Sequence, residues 1–257
     1  MTSLVLVAHG SRDARAAAWT RRLVGAVAAT GGRRVRPAYL DFTRPGLADA
    51  LADEAARGVA RTVVVPLLLT AAYHGRVDVP GVVDEVRRSG LPLDVALAEV
   101  LGPVAGPVPD RYPLDLLVAG VVRRLREAVG PGGSADAVVL GAAGTRDPVG
   151  QATVACVAER VGEVLGVPCR PGYAAGCAPT VDAAVADLRA TGARAVALAS
   201  YFLAPGLLYD RVVDAAIAAG AGAVAAPLGA APEVVRLVLR RADEVNDARG
   251  RLDGRAA

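Results

Sequence analysis

Two histidines occur in the 257 residues, His9 and His74, and each follows closely on a run of Val and Leu: "LVLVAHGSRD" at 4–13 and "VVVPLLLTAAYHGRVDVP" at 63–80. A third run, "AYLDFTRP" at 38–45, leaves Asp41 just past its end. A neutral imidazole can ligate a metal and accept a proton near neutral pH. Two imidazoles and one carboxylate would make an open site for a divalent first-row metal such as iron, cobalt, nickel or zinc. The spacing is nonlocal, unlike the compact HExxH pattern, so only folding could bring these groups together. Plainer roles exist for each: a histidine ending a strand can hydrogen-bond within its loop, and an aspartate there can form an Asx-turn.

Short Val/Leu/Ala runs alternate with longer amphipathic stretches throughout the chain, the pattern of βα units around a parallel sheet. Strands are expected near 3–8, 34–39, 62–68 and 94–98, with helices near 14–29, 45–57, 79–89 and 113–129. The second half predicts strands near 136–141, 167–172, 195–201 and 223–226, with helices near 149–165, 179–191, 207–219 and 231–247. In an open parallel sheet the carboxyl ends of the strands share one rim, where ligands bind. His9, Asp41 and His74 are all expected on that rim, and strands lie only about 4.8 Å apart.

The two halves repeat each other. A gapless offset of 134 residues lays "HGSRD" (9–13) on "AGTRD" (143–147) and "RPAYLDFTRP" (36–45) on "RPGYAAGCAP" (170–179). "RTVVVPLLLT" (61–70) falls on "AVALASYFLA" (195–204) in pattern, and Gly58 on Gly192. The fold class predicted is α/β, with two tandem domains, each a four-stranded parallel sheet flanked by helices. The expected domains are 1–133 and 134–257, with "GPGGS" at 130–134 as the junction and the Pro/Gly-dense 101–113 as a loop. The repeat also serves as an internal control. Positions 143, 175 and 208, which correspond to His9, Asp41 and His74, are Ala, Ala and Leu. Features of the fold persist in both copies, whereas the three polar groups occur only in the first.

Composition bounds the remaining possibilities. The 29 basic and 26 acidic residues are interspersed and the net charge is only +3, which argues against nucleic acid as a partner. The apolar fraction reaches 53%, yet its runs are broken by Gly, Pro or Arg well short of the ~18 residues a spanning segment needs, so no membrane partner is expected. "MTSLVLVAHGSRD" lacks a basic n-region and turns charged too early for a signal peptide, so a cytoplasmic location is expected. Cys156, Cys169 and Cys177 form no CxxC pair, which argues against an iron–sulfur cluster or disulfide framework.

"LVAHGSRD", "YLDFTRP" and "VVVPLLLTAAYHGRVDVP" together resemble the successive motifs of the class II tetrapyrrole chelatases of the sirohydrochlorin type, in their fused two-lobe form. The family pattern is roughly a strand plus HGSRD, then E-x-x-x-P, then P-x-F-L-x-x-G-x-H-x-x-x-D-I-P. The resemblance covers most of residues 3–100 and, more faintly, the second copy. It implies two α/β lobes facing each other across a cleft, in a monomer acting as a pseudo-dimer. It further implies a lyase, a sirohydrochlorin ferrochelatase or cobaltochelatase, that takes Fe²⁺ or Co²⁺ as substrate and uses no organic cofactor. His9 and His74 would bind the metal and handle protons. Asp41 stands where many members have a glutamate, one methylene longer, and Ala72 where many have glycine.

The substrate implied by the resemblance, sirohydrochlorin, is a polycarboxylate, and guanidinium pairs bidentately with carboxylate. Arg12, Arg44 and Arg76 each lie within three residues of a candidate catalytic group, and Arg146 occupies the matching turn of the second copy. Solvated surface charge is the alternative for each. Asp13 and Asp78 are expected to cap the helices that follow them. Siroheme, an iron product, and cobalamin, a cobalt one, are both open as pathways. Two rival functions remain: a noncatalytic tetrapyrrole or metal carrier, and a histidine phosphatase, the latter weakened because Ala8 precedes His9 where a phosphate-clamping arginine would be needed.

Overall fold

The computed structural model describes residues 2–70, 77–103 and 111–253. The first copy contributes β1 (Thr2–Ala8), α1 (Ala14–Gly31), β2 (Val35–Tyr39), α2 (Leu47–Ala56), β3 (Arg61–Pro66), α3 (Val79–Arg88), β4 (Asp94–Leu97) and α4 (Arg111–Val129). The second contributes β5 (Ala137–Ala142), α5 (Pro148–Leu165), β6 (Cys169–Tyr173), α6 (Val181–Ala190), β7 (Val196–Ser200), α7 (Leu207–Ala218), β8 (Ala223–Val224) and α8 (Pro232–Asp253). Two four-stranded parallel sheets result, ordered β2-β1-β3-β4 and β6-β5-β7-β8. The alternation of elements expected from the sequence is thus present. The last strand, β8, is shorter than expected at two residues, and α8 runs beyond its expected end.

Burial on both faces explains why these strands read as unbroken apolar runs. Ser3 to Val7 of β1 and all of β5 are buried. On one side of the first sheet, Val5, Val7 and Val64 meet Leu47 and Leu51 of α2 and Val79, Val83 and Val86 of α3. In the second sheet, Val139 and Leu198 pack with Val181, Val185 and Leu188 of α6 and Val212 of α7. Each fully buried Val or Leu contributes about 1.5–3 kcal/mol relative to leaving it in water.

The chain separates into two compact units, but not at the expected 133/134 junction. One unit is Met1–Leu101 with Val235–Ala257, and the other is Gly102–Val234. The physical reason lies in the last helix of each copy. The apolar stripe of α4, with Leu114, Leu117, Val121 and Leu125 buried, packs on β7, β8 and α5. Most of α8 belongs instead with the first sheet, where the buried Arg241 donates its Nε–H to the carbonyl of Val100 at 2.9 Å and Asp243 pairs with Arg33 at 2.7 Å. "GPGGS" therefore joins the two copies in sequence, while each compact unit draws on both.

Candidate functional site

In the first unit the strands that lead to the three candidate groups are neighbours. The order β2-β1-β3 puts the carboxyl ends leading to Asp41, His9 and the segment of His74 side by side. The chain runs from β1 to β2 on one side and returns to β3 on the other, so His9 stands at the topological switch point, where open α/β sheets bind their ligands. His74 and Arg76 themselves lie outside the described residues. Leu67 extends the pairing past β3 by donating its N–H to the carbonyl of Val7 at 2.8 Å.

His9 and Asp41 are joined through the backbone, because the Asp41 N–H donates to the His9 carbonyl at 2.8 Å. Gly10 makes this close approach possible. Its φ is +93°, and a Cβ there would fall 1.8 Å from the Asp41 carbonyl oxygen. Gly144 in the second unit repeats the constraint, with φ +87° and the same 1.8 Å to the Ala175 carbonyl oxygen. The half-buried His9 ring brings Nδ1 to 3.3 Å from the Gly10 carbonyl oxygen. That oxygen can only accept, so this contact is a hydrogen bond when Nδ1 carries the proton.

Hydroxyls tie the two loops together. Ser11 donates its N–H to Thr43 Oγ1 at 3.2 Å, and Thr43 Oγ1 donates to the Ser11 carbonyl at 3.0 Å. Ser11 Oγ accepts from the Asp13 N–H at 3.0 Å, and Asp13 caps α1 by accepting from the Arg15 N–H at 2.8 Å. The Arg15 guanidinium and backbone hold the Asp13 carboxyl below its usual range. Asp78 stands at the N-cap of α3 but makes no side-chain cap hydrogen bond, because its own backbone is already helical.

The arginines differ in their surroundings. Arg12 is exposed, with its guanidinium carbon 5.1 Å from the ring centroid of Phe42. Arg44 reaches Asp49 in the first turn of α2 at 3.0 Å, in a fully solvated ion pair that sets its charge at the start of that helix. Arg146 is exposed in the turn between β5 and α5. Asp41 is exposed as well. Among the described residues, no group of three or more His, Cys, Asp or Glu side chains could hold a metal ion. Burial pushes the Cys169 thiol up to about 12, so it carries its proton at neutral pH. No described helix is long and apolar enough to cross a membrane.

Phe42 was missed by reasoning from polar residue types. Its ring lies 6.3 Å from the His9 ring at an interplanar angle of 25°. The available signal was the 134-residue offset, which sets Phe42 against Gly176.

Comparison with known proteins gives a consistent result. The CbiX family profile matches residues 3–106 and 137–245. The sirohydrochlorin cobaltochelatase of Priestia megaterium is 23% identical over 217 residues, covering 83% of this chain and 68% of that protein. The sirohydrochlorin cobaltochelatase of Saccharolobus solfataricus is 36% identical over 70 residues, covering 25% of this chain and 55% of that protein. Among solved structures, SirB from Bacillus subtilis with Fe³⁺ superposes with a TM-score of 0.78 at 20% identity, covering 97% of each chain. SirB from Bacillus subtilis subspecies spizizenii in complex with cobalt gives 0.75 at 18% identity, again over 97% of each chain. The two-copy α/β architecture is therefore shared with solved chelatase folds.

Proposed function

This chain belongs to the CbiX family, and from that membership we propose that it inserts a divalent metal, Fe²⁺ or Co²⁺, into sirohydrochlorin. The relatives that carry a named activity are sirohydrochlorin cobaltochelatases, which supports the macrocycle as substrate. The observation that supports the reading is that His9 and Asp41 follow the adjacent strands β1 and β2 of one unit, with β3, the strand that precedes His74 in sequence, on the other side of β1, and with Ala, Ala and Leu at the positions of the second copy that match His9, Asp41 and His74.

Metal insertion must strip water from the cation, deliver it to one face of the macrocycle and remove two pyrrole protons. The His9 imidazole, half-buried at the end of β1, would ligate the metal or take a proton. His74 shares these roles. Asp41 favours entry of the cation and carries protons outward, its shorter side chain suiting it to act beside the metal rather than on it. Arg12, Arg44, Arg76 and Arg146 pair with the peripheral carboxylates of the substrate.

The test is an anaerobic insertion assay with purified protein, sirohydrochlorin and either Fe²⁺ or Co²⁺, followed by the change in the macrocycle's visible spectrum. Acceleration with at least one metal is expected, and the ratio of the two rates identifies the preferred substrate. No acceleration with either would overturn the proposal; tight macrocycle binding in that case would mark a carrier.

A further inference from the structure

Phe42 occupies a conformation that its type disfavours. It is one of two phenylalanines in the chain, its φ is +57° in the left-handed region, and 61% of its surface is exposed. The matching residue of the second unit, in the same backbone region at φ +81°, is Gly176. Glycine takes this conformation without steric cost, whereas a bulky side chain is strained there. The strain is held from both sides. The Asp41 N–H is bound to His9, the Thr43 N–H closes a three-residue turn onto the Asp41 carbonyl at 2.6 Å, and the Thr43 hydroxyl is fixed on Ser11. Neither burial nor backbone need accounts for the ring. Strain retained at an exposed position beside a candidate site points to use of the side chain itself.

The ring's neighbours indicate that use. The His9 imidazole lies nearly parallel at 6.3 Å, and the Arg12 guanidinium sits 5.1 Å from the ring centroid. A flat conjugated face and a cation held beside it together complement a planar macrocycle edged with carboxylates. We propose that Phe42 is a substrate-positioning residue: its ring supports the rim of the macrocycle and holds Arg12 for a peripheral carboxylate, which sets the pyrrole nitrogens at His9. This inference rests on the proposed function and names how that site recognises its substrate.

The test measures insertion kinetics against sirohydrochlorin, macrocycle binding by absorbance, and thermal unfolding for Phe42→Leu, Phe42→Trp and Phe42→Gly. Loss of the aromatic face should raise KM roughly three- to tenfold in Phe42→Leu, with kcat within about twofold. Phe42→Trp should restore KM, and Phe42→Gly should bind as weakly as Phe42→Leu while unfolding at or above the wild-type temperature. An unchanged KM in both Phe42→Leu and Phe42→Gly, with the wild type active, overturns this inference alone. A fall in unfolding temperature in Phe42→Gly that tracks the lost binding also overturns it, because the ring would then be a packing element. A wild type that neither binds nor metallates sirohydrochlorin overturns the functional reading, and this inference with it.

Discussion

His9 and its counterpart Ala143 end equivalent strands, so substitution at the two positions separates chemistry from packing. His9→Ala and His74→Ala should each lower metal insertion by about 100-fold or more, the lower end of what a positioned acid–base group contributes. His9→Ala should change the unfolding temperature little, since His9 lies outside the buried core. Changes at Ala143 or Leu208 should alter stability without a specific effect on turnover. Near-wild-type insertion by His9→Ala would remove it from the site. Gly10 and Gly144 make a second matched pair, because each would press a Cβ to 1.8 Å from a carbonyl oxygen. Gly10→Ala and Gly144→Ala should each cost about 2 kcal/mol or more in denaturant unfolding. Only Gly10→Ala should also impair insertion by the fraction that remains folded, since it alone displaces the Asp41 backbone next to His9.

Between elements, the first sheet is tied to α2 through Glu54, whose side chain is fully buried. Arg34 donates its Nε–H to Glu54 Oε1 at 2.9 Å, and Arg36 of β2 approaches the same oxygen at 3.4 Å while also pairing with Asp53. Burial pushes the Glu54 carboxyl up, but hydrogen bonds from Ser3, Arg34 and Arg36 outweigh it and hold it below its ordinary value of 4.5. A carboxyl depressed in the folded state stabilises the fold fully above its unfolded value, and that contribution is lost as pH falls through the folded one. Denaturant unfolding should therefore show stability falling below about pH 4.5, with part of the loss missing in Glu54→Gln. That variant should cost about 2 kcal/mol at pH 7. An identical pH profile in wild type and Glu54→Gln would remove Glu54 from the account. At the start of α5, Asp147 accepts from the Val149 N–H at 3.0 Å, and Asp147→Ala should cost about 1 kcal/mol by thermal unfolding.

For the whole molecule, the exchange of last helices makes each sequence copy incomplete. A fragment of residues 1–133 carries α4 without the sheet it covers and lacks the α8 residues that close the first unit. Neither 1–133 nor 134–257 should unfold cooperatively when expressed alone. Co-expressed, the two should purify together, because each supplies a helix to the unit the other begins. A cooperative thermal transition in isolated 1–133 would refute this expectation.

The alternation of elements, the duplication and the rim positions of His9 and Asp41 were legible from residue types, because burial on both faces enforces apolar runs and an offset of 134 keeps turn residues in register. The cap at Asp13 was equally local, since its side chain bonds a backbone N–H two residues on, whereas the cap expected at Asp78 fails because the helical backbone already begins there. Strand order was not local. That β1 lies between β2 and β3, so that His9 stands beside Asp41 at the switch point, depends on which sheet edge each crossover takes, and no residue spacing encodes it. The helix exchange was hidden for the same reason: the apolar stripe of α4 shows that it must pack, whereas only the tertiary structure decides that it packs on β7 and β8. The conformation of Phe42 likewise depends on hydrogen bonds that its neighbours Asp41 and Thr43 make with His9 and Ser11, residues more than 30 positions away from it.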